Sequence, residues 1–474
     1  MLTLPTEGYY PGDHPTEWTD LTPLSLTYTY QNHIQQSPSS PYAVLEYQGG
    51  APDPWGGVGL DKCAAKINQH FTRVFVKELV SRSIKILNLY MACFPPSLSC
   101  ISVSLTRRID VWRDKLGQHG SLRGLYVLRS RRFYQGEPRD RSGEVVTSYG
   151  TQQWAYGVCE AKIEAPFLRA SGAYLTAIPQ NATSTEFVST PDLRVVPIVG
   201  DKTRFYVVRH TDYTSLNRTS YKLNVPTSAG NISIPLLGGE LSLHGRDSKI
   251  HVTDHEIGRT KLIYSSAEIF TWKTYGSKTL LILYGGDGEE HEFAVPSSLG
   301  KPHFEGSNAT TRTYGSFRAI HWLVQERRQV VHFENVEIHL LWRNDAYRHW
   351  VLDLPDANDG LIKPTLGKSS IIAKGPYLLR NATYADNVLH LTGDFNATTT
   401  LEILGGIPSN SSLSFNGRPL SNAQWKNGRL QAELVFESPA LNLPVFSELQ
   451  WRSIDSLPEV SNNYDDSAWI EAAI

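Results

Sequence analysis

Cysteine is scarce. Four residues, Cys63, Cys93, Cys100 and Cys159, serve a chain of 474, so a disulfide-stapled scaffold is excluded and stability must come from buried apolar cores. Charge of one sign is also missing: 45 Lys and Arg face 47 Asp and Glu, a net charge of −2, which excludes the electrostatic footprint of a nucleic-acid or anionic-membrane binder. No apolar run reaches the ~18 residues of a membrane-spanning helix. The opening residues, MLTLPTEGYYPGDHPTEW, have neither the basic stretch nor the apolar run of a secretory leader. No G-x-S-x-G elbow occurs. Gly56-Gly-Val-Gly59 lacks both the spacing and the lysine of a phosphate loop. Internal repeats and low-complexity tracts are absent as well.

Apolar and aromatic residues are plentiful: 40% of the chain is hydrophobic, with 23 Tyr and 11 Trp. That is enough for several cores, and the length predicts about three domains.

One segment concentrates chemistry. Tyr42 to Tyr47 is a short β-branched and aromatic run with a proline before it and Gly49-Gly50 after it, the pattern of a buried strand. It carries Glu46. An unpaired carboxylate in such a run costs several kcal/mol, so two readings stand. Glu46 either pairs with a buried arginine, or it is a reactive carboxylate near the C-terminal end of a barrel strand, where α/β barrels place their chemistry. Asp61 to Lys77 then spaces Cys63, Ala64, Ile67, Phe71, Val74 and Phe75 as a helical stripe, and Ser83 to Met91 reads as another strand. Strand, loop, helix and strand make a βαβ unit, which predicts a parallel pair.

The motifs PYAVLEYQGG, DPWGGVG, Cys63-Ala-Ala and NLYM resemble the last two barrel strands of the fungal β-galactosidases of glycoside hydrolase family 35. The resemblance covers about 28–91 and then 160 to the C-terminus. It implies that Glu46 is the catalytic nucleophile and that the substrate is a galactoside or a galactose-containing polysaccharide. It implies carbohydrate metabolism, no cofactor, no nucleic-acid or membrane partner, and an extracellular setting. Tyr10, in Tyr-Tyr-Pro-Gly, resembles the family's galactose-contacting tyrosine, although His14 stands where a cysteine is expected. That cysteine would pair with Cys63, so Cys63 is expected to lack its partner. Trp55 offers either an aromatic face to a sugar ring or a lid on the barrel mouth.

The resemblance also sets expectations about what is missing. The barrel needs eight strands and about 250 residues, and two strands precede the β-rich part here, so a fragment truncated at both ends is expected. The family's acid/base Glu lies on an earlier strand within an Asn-Glu motif, and no residue of this sequence takes that role. From 92 to about 159 the family's loops are replaced by a basic stretch containing Arg129-Ser-Arg-Arg-Phe133. Writing Trp112 to Gly117 as TGG CGG GAC AAA TTG GGG and shifting one base spells GGTNW. Continuing the shift to Tyr134, permitted codons spell GNMGHSGGYTSYDHGASI, close to the absent loops. We therefore read about 110–141 as translated out of frame and 92–108 as retained intron sequence. Such a stretch was never selected to pack in this fold.

Beyond Ser171 short strands predominate: Leu193–Val199, Arg204–Arg209, Leu262–Tyr264, Ile269–Lys273 and Thr279–Tyr284, broken by turns at Gly200-Asp201, Ser228-Ala-Gly230 and Gly285-Gly-Asp-Gly288. The expected fold is mostly β: a C-terminal remnant of a (β/α)8 barrel at 1–91, the aberrant stretch at 92–159, then sandwich-like domains at 173–355 and 358–436 and the opening of a jelly roll at 439–474. Seven N-x-S/T sequons, at Asn181, Asn217, Asn231, Asn308, Asn381, Asn396 and Asn410, lie beyond the barrel part, as in a secreted glycoprotein.

His244, His251, His255, Glu256 and His291 cluster in sequence, but His251 to His255 falls in alternating strand sequence rather than on a helix. They are read as surface and turn histidines, not as metal ligands. Gly285 to Glu290 lacks the alternating oxygen ligands of a calcium loop and is read as a hairpin turn. The expected function is retaining hydrolysis of terminal β-D-galactose, with this stretch inactive as written. The alternatives are a non-catalytic carbohydrate-binding β glycoprotein or a faulty gene-model product.

Overall fold

The computed structural model describes residues 30–48, 69–90, 165–306, 308–354, 369–376, 378–438, 446–452, 463–465 and 467. Near the start, strands Ala43–Gln48 and Ile86–Tyr90 pair in parallel, with helix Gln69–Ser81 between them in sequence. This is the strand–helix–strand unit that periodicity predicts. The helix runs four residues past Lys77, to Ser81, and the expected start at 61–68 lies outside the described residues. Val74, Phe75, Val76, Leu79 and Val80 bury its apolar side, and Tyr42, Val44, Ile84 and Leu87 bury the roots of the strands.

That unit packs on a large β body. Eight strands form one sheet in the order Thr310–Tyr314, Phe317–Leu323, Glu290–Pro296, Thr260–Ser265, Ser248–Ile257, Arg204–His210, Leu193–Val199 and Ile178–Pro179. Each pairing is antiparallel. A second sheet orders Glu268–Tyr275, Lys278–Gly285, Val336–Trp342, Gln329–His332 and His303–Glu305, with Lys278–Gly285 and Val336–Trp342 parallel. Alternate residues of Lys278–Gly285 point to opposite faces. Leu281 and Leu283 join the core beneath the eight-stranded sheet, while Leu280, Ile282 and Tyr284 join another with Phe270, Leu341, Ile372 and Leu404. Burial on both faces explains the unbroken apolar run Leu280 to Tyr284.

The third body is a sandwich. Its five-stranded sheet orders His349–Asp353, Ser370–Lys374, Thr399–Gly405, Arg429–Leu434 and Gln424–Lys426; its four-stranded sheet orders Leu378–Ala385, Val388–Asp394, Ser412–Phe415 and Arg418–Pro419. Leu379, Leu389, Leu391, Leu401, Ile403, Leu413 and Leu430 fill the space between them. Strand His349–Asp353 pairs with Ser370–Lys374, so the sheets change over at the short helix Arg343–Ala346, ahead of residue 355.

Two sequence expectations are corrected. Gly285 to Glu290 is not a hairpin turn: it leaves Lys278–Gly285 in the five-stranded sheet and enters Glu290–Pro296 in the eight-stranded one, forming a corner between layers. Nor are His251, His255 and His291 surface or turn residues; each has 3% or less of its area exposed. The histidines mislead because polar residues on strands buried on both faces look solvent-facing until the second layer is known.

Candidate functional site

Glu46 sits in the C-terminal half of strand Ala43–Gln48. The register with the second strand runs Ala43↔Ile86 and Val44↔Leu87, then Tyr47↔Leu89 and Gln48↔Tyr90. Leu45 and Glu46 therefore face Asn88 alone. One extra residue enters the first strand at the position of the carboxylate. A β-bulge of this kind re-aims side chains and breaks local pairing, and bulges are over-represented beside active sites.

Several contacts hold the N-terminal half of the pair. Tyr42 stacks on His33 with ring centroids 5.0 Å apart, His33 Nε2 lies 2.9 Å from the Ser40 carbonyl, and the Lys85 amide donates to the Tyr42 carbonyl at 2.8 Å. Lys85 Nζ lies against the Tyr174 ring, 4.1 Å from its centroid, and donates to the Tyr174 carbonyl at 2.5 Å. Burial pushes the Lys85 ammonium down to about 7. Lys85 precedes Ile86, at the opposite end of the strand pair from Glu46.

Of the other sequence-derived candidates, Tyr10, Trp55 and all four cysteines lie outside the described residues, as does the 92–159 stretch. For Glu46 the structure describes the backbone and its register, not the side chain. All seven sequon asparagines, Asn181, Asn217, Asn231, Asn308, Asn381, Asn396 and Asn410, are exposed.

The histidine cluster resolves into separate core contacts. His251 Nδ1 lies 2.7 Å from the Ser266 carbonyl and Nε2 lies 2.7 Å from the Tyr221 hydroxyl. Since a carbonyl only accepts, Nδ1 carries the proton and Nε2 accepts from Tyr221. His291 Nε2 meets Glu289 at 2.9 Å. Among the described residues no group of three or more His, Cys, Asp or Glu is placed to hold a metal ion, and no helix is long and apolar enough to cross a membrane. Sequence reasoning missed the buried ionic groups Lys77, Glu78, Asp247, Lys249, Glu268 and Glu289. Lys77 and Glu78 sit beside the helix's apolar stripe, but Asp247 and Glu289 lie in polar stretches that carry no local signal of burial.

The family model described as "Beta-galactosidase, domain 2" matches residues 175–349, and "Beta-galactosidase, domain 3" matches 350–431. The chain is 40% identical over 465 residues to "Probable beta-galactosidase E" of Aspergillus fumigatus, covering 97% of this chain and 43% of that protein. It is 41% identical over 446 residues to "Beta-galactosidase A" of Aspergillus oryzae, covering 93% and 41%. To "Beta-galactosidase A" of a Penicillium species it is 39% identical over 453 residues, covering 94% and 42%. The chain belongs to the fungal β-galactosidases of glycoside hydrolase family 35, and it spans less than half the length of these relatives.

Proposed function

We propose that this chain is part of a secreted, retaining β-galactosidase in which Glu46 is the nucleophile. The observation that carries this reading is the break in backbone register at Leu45 and Glu46, near the C-terminal ends of two parallel strands. Similarity to named β-galactosidases supports the substrate class. The strand–helix–strand unit is then the last part of a (β/α)8 barrel, followed by two β domains that meet just before strand His349–Asp353. Exposure of all seven sequon asparagines supports N-glycosylation and an extracellular location.

In the reaction, the Glu46 carboxylate attacks the anomeric carbon of a terminal β-galactosyl unit and the bond to the leaving oxygen breaks. A second carboxyl group, about 5–5.5 Å away in retaining enzymes, protonates that oxygen. The same group then removes a proton from water, which attacks the galactosyl ester and frees galactose and Glu46. We assign no residue of this sequence to the second carboxyl. Losing general acid–base help typically costs about 10²–10⁴-fold, so these 474 residues alone are expected not to turn over.

The test uses a chromogenic galactoside. In a longer protein that contains this stretch and hydrolyses the substrate, Glu46→Gln should lower kcat by at least about 10³-fold while melting behaviour is unchanged. Undiminished hydrolysis by the variant would overturn the assignment of the nucleophile. Glu46-dependent release of galactose by the 474 residues alone would overturn the expectation that they lack the second carboxyl group.

A further inference from the structure

Helix Gln69–Ser81 buries more than its apolar side. Lys77 and Glu78, adjacent in sequence and opposite in charge, are 1% and 4% exposed. Each finds its counter-charges across the junction with the β body. Lys77 Nζ lies 2.7 Å from Glu268 Oε1 and donates to the Ser248 carbonyl at 2.7 Å. Glu78 accepts from Arg209 at 3.0 Å, and Arg194 lies 3.6 Å away; Arg82, just past the end of the helix, adds a contact at 3.2 Å. The helix gives a cation to the sheet's carboxylates and an anion to its arginines.

The β body is arranged for this exchange. Three of its carboxylates, Asp247, Glu268 and Glu289, are buried in one region. From the same body come two cations: Lys249, 2.7 Å from Glu289 and 3.5 Å from Asp247, and Arg343, 2.8 Å from Asp247 and 3.8 Å from Glu268. Lys77 supplies the third, and Arg73 on the same helix adds positive potential at Asp247. Removing one partner of a buried ion pair leaves an uncompensated charge in low dielectric, a far larger penalty than the pair's net worth. Apolar packing follows the same seam. Val74, Phe75, Val76, Leu79 and Val80 belong to one core with Phe205, Val207, Ile250 and Val252. The Tyr174 hydroxyl lies 2.9 Å from the carbonyls of both Val80 and Ile84, and Ser83 Oγ donates to the Ala177 carbonyl at 2.7 Å.

We propose that the sheet surface around Arg194, Arg209, Ser248 and Glu268 is a docking surface whose matched occupant is the helix Gln69–Ser81 of this chain, so that the unit bearing Glu46 and the β body fold as one cooperative whole. The β body is then not a free-standing carbohydrate-binding module. The exchange also fixes the orientation of the helix, because reversing Lys77 and Glu78 would set like charges together on both sides of the seam. None of this depends on the identity of the nucleophile.

The test is hydrogen exchange on the full 474-residue chain. Lys77→Met keeps most of the side-chain volume and removes the charge. Amides of strands Ser248–Ile257 and Arg204–His210 should exchange at least about tenfold faster in this variant, together with those of the helix. Adding Glu268→Gln to Lys77→Met should restore most of the protection, because it removes the stranded anion. Should Lys77→Met not fold, folding of the double variant would carry the same conclusion, and the milder Glu78→Gln would supply the exchange comparison. Loss of protection in the helix with wild-type rates in both strands would overturn the proposal, as would a double variant no better than the sum of its single changes.

Discussion

Arg429 and Glu337 meet at 3.0 Å across the junction between the second and third β bodies, with 3% and 4% of their side chains exposed. Arg429 opens the strand Arg429–Leu434 of the third body and also reaches Glu305 at 3.2 Å; Glu337 lies on Val336–Trp342 of the second. A little way along the same junction, Arg328 pairs with Glu402. A guanidinium suits such a place, since its planar fork serves two carboxylates at once. Arg429→Met should destabilise the chain by about 1.5–3 kcal/mol, the worth of a hydrogen bond to a charged group, because Glu337 keeps its contacts with Lys278 and His339. Adding Glu337→Gln should cost less than the two single losses summed. Urea denaturation of the two single variants and the double variant measures the coupling, and strict additivity would show that the pair is not the linkage.

The same junction should set the acid limit of the fold. Burial pushes the Glu337 carboxyl up, but the His339 ring, Lys278 and Arg429 outweigh it and hold it well below the usual range. Glu305 and Glu402 are likewise lowered against burial, the first mainly by Arg429 and His332, the second by Arg328. A carboxyl lowered in the folded state stabilises it at pH values above the unfolded pKa of about 4.3, and that stabilisation drains away as pH falls toward the folded value. Melting temperature should thus drop steeply below about pH 4.3. In Arg429→Met the starting stability is lower but the drop is shallower, because Glu337 and Glu305 have lost one of the charges that held them down. Parallel melting curves for the two proteins would contradict this.

His251 acts in a different window. Burial lowers its ring to about 3, against an ordinary 6.5. The unfolded chain takes up the proton first, so stability declines as pH falls from about 6.5 toward the folded value. His251→Gln should flatten the pH–stability curve between about 6.5 and 4.3, above the carboxylate region. Tyr221→Phe removes the donor to Nε2 and should cost about 1–3 kcal/mol, the penalty for leaving a buried acceptor unsatisfied. If the phenylalanine variant melts like the parent, water fills the place of the hydroxyl and the bond adds little.

Much of this architecture was legible in the residues. The strands expected at Leu193–Val199 and Arg204–Arg209 form, the second running one residue further to His210, and the turns at Gly200-Asp201 and Ser228-Ala-Gly230 fall where turn chemistry puts them. The expected parallel pairing of Ala43–Gln48 with Ile86–Tyr90 forms too. The bulge at Glu46 was not legible, because a bulge adds a residue to one strand without altering the apolar pattern of either. Nor was the burial of Lys77 and Glu78: on a helix with an apolar stripe, neighbouring charges read as solvated until an opposing Glu268 and Arg209 are known. The Gly285–Glu290 corner failed for a related reason. Its Gly-Gly-Asp-Gly composition is right for a reversal, and composition does not say whether the chain re-enters the same sheet or the next.

Gly406 offers a test of backbone geometry free of charge. It follows strand Thr399–Gly405 with φ of 101°, a region that L-residues with a side chain rarely enter. A Cβ there would stand 2.6 Å from the Ser370 carbonyl oxygen and 2.9 Å from the Ile371 Cα. Both belong to the neighbouring strand Ser370–Lys374, which cannot swing aside as a flexible side chain would. Gly406→Ala therefore combines an unfavourable dihedral with a clash against backbone, and should destabilise by more than about 2 kcal/mol. Gly276, also at positive φ, has open space around the added carbon, so Gly276→Ala bears the dihedral cost alone, about 1–2 kcal/mol. Thermal denaturation of the two variants side by side separates the terms: the Gly406 substitution must be the more damaging, and equal losses would mean that the Ser370–Lys374 strand gives way more readily than its packing suggests.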